Sequence, residues 1–202
     1  MKKSLLFLFA TIVLFSCNTK EKEPEFQFEK YDESAAIKAQ QNHQNGRMKF
    51  KLFQSKIIDM NDVYKPFQSD LAKFSEENYN ELKPLILEQD IPTLQNYVKE
   101  GKLSYEKLTL FYLYRIRKFE SDSTLSLNSI IALNPNVLKE AREKDLNKDN
   151  VSEFSMYGMP VLLKDNINTK EMPTTAGALA LERNYTKTDA FIVEKLREND
   201  AL

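Results

Sequence analysis

Residues 159–163, Met-Pro-Val-Leu-Leu, form a compact apolar run that ends on Lys164 and breaks at once into Asp165-Asn166. A run of this length, β-branched at Val161 and closed by a polar turn, predicts a buried strand. Thr188-Asp189 then opens a helix, with Phe191, Ile192, Val193 and Leu196 on its buried side. Glu194, Lys195, Arg197 and Glu198 keep the other side in water. A strand, a loop and a returning helix predict an α/β layer, a sheet covered by helices.

Upstream, helices dominate. From Tyr31 to Leu87 the chain is rich in lysine and glutamate, nearly free of glycine, and dotted with Phe50, Phe53, Tyr64, Phe67, Phe74 and Tyr79. Ser75-Glu76-Glu77 predicts a capped helix start. Asp90, Pro92 and Gly101 mark a cap, a first turn and a stop. Ser104 caps the next helix, where Leu108, Phe111, Tyr112, Ile116 and Phe119 recur at helical spacing as core packing. Residues 127–133 predict a short strand or buried turn. Asn134-Pro135 then launches a helix through Leu138, Ala141 and Leu146.

Composition removes several classes of function. The formal net charge is −1, so nothing favours nucleic acid, which needs clustered positive charge. Four glycines leave no phosphate cradle. One cysteine forbids an internal disulfide, and with one histidine the usual structural zinc sets are out of reach. That histidine, His43, lies in the polar string Gln40-Gln41-Asn42-His43-Gln44-Asn45 and reads as a solvated side chain. A hydrolase built from this chain therefore needs a base other than histidine. The string Asp145-Leu146-Asn147-Lys148-Asp149 is acidic, but Asn150 replaces the glycine of a calcium loop and Met156 its final glutamate. It reads as a polar linker.

The N-terminus carries an address. Met1-Lys2-Lys3 precedes the apolar run Leu5–Phe15, which is shorter than the roughly 20 residues that span a bilayer. Leu14-Phe15-Ser16-Cys17 resembles the lipobox of bacterial lipoproteins, which implies lipidation at Cys17. Residues 1–16 are then a signal peptide, 17–30 a flexible tether and 31–87 a helical extension. This predicts an exported protein, attached to a bacterial membrane through the lipid on Cys17 and not spanning it.

Lys164, taken alone, reads in two ways. It is either a strand-end cation reaching water or a partly desolvated amine able to take a proton from a serine hydroxyl. Its neighbours weigh on the choice. Tyr157 to Ile167, followed by Met172-Pro173-Thr174-Thr175-Ala176-Gly177, resembles the opening motif of the amidase signature family, serine hydrolases of carboxamide bonds. The order Ile-Pro-Thr-Leu-Gln, Gly-Lys-Leu-Ser and Leu-Asn-Ser-Ile-Ile-Ala-Leu-Asn-Pro is similar to that family too, so the resemblance covers roughly Asp90 to Leu202 and sets the amidase portion at 88–202.

The resemblance implies a mixed sheet covered by helices, here its N-terminal helices, first strand and following helix. It also implies a Ser–Ser–Lys triad with Lys164 as base and an acyl-enzyme intermediate, with backbone N–H groups holding the oxyanion. Thr174, Thr175, Ala176 and Gly177 would shape the loop beside the substrate; Ala178 stands where the family commonly has serine. Asp165 and Asn166 read as turn formers. No metal or organic cofactor is implied, and the partner is a small carboxamide.

No Gly-Ser-Ser-Gly-Gly type segment occurs in residues 1–202, and Ser152 and Ser155 do not resemble the family's serines. The expectation is a truncated N-terminal portion of an amidase domain, inactive and poorly stable alone, whose C-terminal part is missing. A non-catalytic lipoprotein or pseudogene fragment serving as a scaffold is the alternative. Amidotransferases that work on charged tRNA share the motif, but the export signal argues against that cytosolic work.

Overall fold

A computed structural model of the chain describes residues 26–49, 58–148, 151 and 155–202. The expected signal peptide and Cys17 lie outside the described residues. Among the described residues eight α-helices follow one another: α1 (Ser34–Gln41), α2 (Met60–Tyr64), α3 (Gln68–Leu71), α4 (Glu76–Ile86), α5 (Ile91–Lys99), α6 (Tyr105–Glu120), α7 (Val137–Leu146) and α8 (Phe191–Glu198). No helix among the described residues is long and apolar enough to cross a membrane.

Local cap chemistry sets the start of α4, α5 and α6. Ser75 Oγ accepts the Asn78 N–H at 3.2 Å while Asn78 Oδ1 accepts the Ser75 N–H at 2.9 Å, a reciprocal box. Asp90 accepts the Thr93 N–H at 2.9 Å, and Ser104 Oγ that of Lys107 at 3.1 Å. A second cap on α6 comes from far along the chain. The Asp145 carboxylate, on the last turn of α7, accepts the N–H groups of Tyr105 at 2.7 Å and Glu106 at 3.0 Å. The acid that opens the calcium-like string is thus engaged at a helix N-terminus. Asp145→Ala is expected to cost about 1–2 kcal/mol, read as a lower denaturation midpoint, with Asp145→Asn losing less. An Asp145→Ala variant as stable as the parent would show that this cap contributes nothing.

The long helix α6 is the hub, packed against α3, α4 and α7. Leu108 and Phe111 face one core cluster with Phe74, Tyr79, Ile86, Leu94, Val98 and Met159. Leu113 faces another with Tyr64, Phe67, Leu71, Val137 and Leu138. The Tyr79 and Phe111 rings stack at 4.8 Å. Helices on both sides of the expected 87/88 boundary therefore share one core. The expected tether also docks at its end: Phe28 is buried, and Asn61 bonds its backbone twice, at 2.7 and 3.0 Å.

Several expectations shift. Helix α7 starts at Val137 because Asn134 stays outside it, where its Oδ1 accepts the Asn136 N–H at 3.0 Å. Its end overruns the core and leaves Leu146 exposed. Helix α8 starts at Phe191; Val193 is buried, but Phe191 is 73% and Ile192 53% exposed. The apolar run is extended but is not a two-faced buried strand, and no strand is formed among the described residues. Its one ladder contact is to Leu202, whose N–H donates to Met159 C=O at 2.9 Å and whose C=O accepts from Val161 N–H at 3.0 Å. That is the start of a parallel pairing. Met159 is buried while Leu162 is 71% exposed, because no layer of the described residues covers the second face.

Candidate active site

The extended run ends in a tight turn, where the Ile167 N–H donates to Lys164 C=O at 2.9 Å. This is the polar turn expected of Asp165-Asn166, and it places Lys164 at the rim of a groove of about 1110 Å³. Ile116, Phe119, Leu133, Leu163, Met172 and Leu196 supply its apolar lining. Tyr112 and Ile116 pack against the core as expected and also line this groove, whereas Phe119 lines the groove alone; only Leu108 and Phe111 of that stripe are fully buried.

Lys164 is exposed, and among the described residues its ammonium has no hydrogen bond or ion pair. The base reading needs partial desolvation, and the described residues do not provide it. The physical reason is that no layer of the described residues lies over the rim of the groove, and Lys164 is exposed there.

The loop that follows is tied to the turn by Asp165. Its carboxylate accepts the Thr175 N–H at 3.3 Å, the Gly177 N–H at 3.1 Å and the Thr175 hydroxyl, while its C=O accepts the Ala176 N–H at 2.9 Å. Three successive amides converge on one residue. Ala176 and Gly177 both carry positive φ, +49° and +70°, which folds the loop back on Asp165. On the other side, Asn184 C=O accepts the Thr174 N–H and its amide donates to Thr174 C=O, both at 3.0 Å. The Thr174 hydroxyl is buried with no hydrogen-bond partner among the described residues. Lys164, Asp165, Ala176 and Gly177 thus line one wall, while Thr174 and Thr175 are the pins behind it.

Asp189 does not begin α8. One carboxylate oxygen accepts the Lys170 N–H at 2.8 Å and the other lies 2.9 Å from Arg197 Nε, locking the loop to the helix. Arg197 also pairs with Glu171. The groove's opposite wall depends on Glu120, at the end of α6. It accepts Ser126 Oγ at 2.6 Å, Asn128 N–H at 3.0 Å, and Ser129 N–H and Oγ at 3.0 and 2.6 Å. This is why residues 127–133 form neither a strand nor a buried turn: their backbone is folded around a carboxylate.

Partial burial pushes the Glu120 carboxyl up, but the bonds from Ser126, Ser129 and Asn128 outweigh it and leave it below its ordinary value. A lowered folded value means stability that is present above the ordinary glutamate range and lost as pH falls through the folded value. Glu120→Gln is expected to destabilise the chain at pH 7 by about 1 kcal/mol, after discounting for solvent screening. The gap to the parent should close on acidification below pH ~4. Urea midpoints across pH would check it, and a gap constant with pH would refute the assignment.

Comparison with known proteins agrees with this architecture. The Amidase family model matches residues 107–202. A Schizosaccharomyces pombe sequence assigned to the amidases is 37% identical over 114 residues, which are 55% of this chain and 19% of that protein. A glutamyl-tRNA(Gln) amidotransferase subunit of Thermoanaerobacter pseudethanolicus is 31% identical over 114 residues, 55% of this chain and 22% of that protein. Among solved structures, an amidase family protein from Bacillus anthracis superposes with TM-score 0.64 at 35% identity, covering 74% of this chain and 30% of its own. Native peptide amidase from Stenotrophomonas maltophilia superposes with TM-score 0.52 at 38% identity, covering 57% and 24%. The chain spans less than a third of each of these proteins. In motif, sequence and fold, residues 107–202 match one segment of the amidase family.

Proposed function

We propose that the chain is the N-terminal part of an exported amidase that hydrolyses carboxamide C–N bonds, with Lys164 as general base. The observation that carries this is the place of Lys164. It ends an apolar run, at a turn, on the rim of an apolar groove in a chain whose residues 107–202 match this family. The neutral amine takes the proton of one serine hydroxyl, which takes that of the nucleophilic serine; both serines come from sequence outside residues 1–202. The serine oxygen then attacks the amide carbon. The collapsing tetrahedral adduct expels the amine as it regains the proton, and water releases the acid from the acyl-enzyme.

The rest of the domain fits this groove as a partner. Among the described residues the run 159–163 pairs only with Leu202, which leaves backbone groups for a neighbouring strand, and Leu162 is exposed where a covering layer would lie. Covering it also removes water from the rim where Lys164 stands, which is the desolvation that its chemistry needs. Lipidation of Cys17 would hold the enzyme to the outer side of a bacterial membrane.

A second reading, a non-catalytic lipoprotein using this segment as a scaffold, is favoured by the exposure of Lys164. Amine release from a panel of carboxamides by the protein of the complete reading frame, with and without the Lys164 amine, decides between them. Turnover that needs Lys164 supports the hydrolase. A folded protein that releases no amine from any member supports the scaffold.

A further inference from the structure

We propose that Asp165 is a positioning residue for Lys164, a latch that fixes the base by tying its turn to the loop of residues 174–177; this rests on the amidase reading above. The carboxylate next to the base would ordinarily hold a neighbouring ammonium in its charged form, which is the wrong state for a proton acceptor. Here no ion pair between Asp165 and Lys164 is formed among the described residues. The carboxylate turns away instead, onto the Thr175 and Gly177 N–H groups at 3.3 and 3.1 Å and the Thr175 hydroxyl. Three donors on two oxygens engage its charge within the loop.

The same contacts fix geometry. The Lys164 peptide is gripped on both sides: its own C=O accepts the Ile167 N–H, and the next C=O accepts the Ala176 N–H, each at 2.9 Å. The positive φ values at Ala176 and Gly177 are an arrangement that a free loop abandons, so the carboxylate, holding the amides of Thr175 and Gly177 on either side of the Ala176 N–H that its own backbone C=O accepts, is what keeps the loop turned inward. Losing it frees the loop and lets the lysine stem shift along the rim. A displacement of about 1 Å at a reacting group costs on the order of 100-fold in rate.

The test compares Asp165→Ala and Asp165→Asn with Lys164→Ala in the full-length enzyme, with amide hydrogen exchange as the structural readout. Asp165→Ala is expected to lower kcat by about 100-fold with KM changed less than about threefold. The isosteric Asp165→Asn keeps one acceptor oxygen and should lie between, which guards against a folding artefact. Exchange at Thr175, Ala176 and Gly177 should rise in step. Faster exchange with unchanged kcat means a purely structural tie and overturns the positioning role. If Lys164→Ala is inactive while both Asp165 variants keep full kcat, this inference alone fails. If Lys164→Ala turns over normally, the base reading fails and takes this one with it.

Discussion

A Gly158→Ala substitution is expected to destabilise the chain by roughly 2–4 kcal/mol. Gly158 has φ +71°, so an L side chain there is strained before any neighbour is considered. The neighbour is decisive. A Cβ built on Gly158 would stand 2.2 Å from Tyr105 Cδ1, 2.4 Å from Cε1 and 2.5 Å from Cγ. Those are ring atoms near the backbone, not the loose end of a flexible side chain.

Tyr105 has nowhere to go. It is 1% exposed, its ring packs edge-on to Tyr157 at 5.5 Å, and its N–H is held by Asp145. Gly158 cannot retreat either. Its N–H donates to Asp200 C=O at 2.9 Å, and the Met159 N–H closes the turn onto Met156 C=O at 3.0 Å. Gly101→Ala is the control: its φ of +76° brings similar dihedral strain, but nothing lies within 4 Å of its Cβ. It should cost about 1 kcal/mol. Equal urea midpoints for the two variants would show that the Tyr105 contact yields freely and that packing does not restrict Gly158.

The contrast between what the chain announces and what it hides follows from range. Ser75, Asp90 with Pro92, and Ser104 are legible as helix starts because a cap bonds an amide two or three residues on. Asp145, Glu120 and Asp165 are equally important acceptors, yet their partners lie up to 40, 9 and 12 residues away. No short-range rule reaches them. For Glu120 the faint signal was Ser126 and Ser129, two hydroxyls flanking a loop that needed an acceptor. The apolar positions fail differently. Periodicity places Phe191, Ile192 and Leu162 on apolar faces, but burial requires a layer to cover them, and that layer is not among the described residues. The Amidase match starts at residue 107, yet α4 and α5 pack into the same core as Leu108 and Phe111, so the packed unit extends upstream of the matched sequence.

Removing the amine of Lys164 should have the largest effect on activity. In the full-length enzyme, Lys164→Ala is expected to lower kcat by about 1,000-fold or more, with KM nearly unchanged. A general base contributes 10²–10⁴-fold, and residues acting as one relay fail together. Stability should hardly change, since the side chain is exposed and among the described residues its ammonium bonds to nothing. That separates this variant from Gly158→Ala, which loses the fold first. Lys164→Arg should be as inactive as Lys164→Ala, because a guanidinium stays protonated and cannot accept the serine proton. Only a neutral amine can do so. A Lys164→Arg enzyme with parental kcat would show that the cation, and not the free base, is what the groove requires.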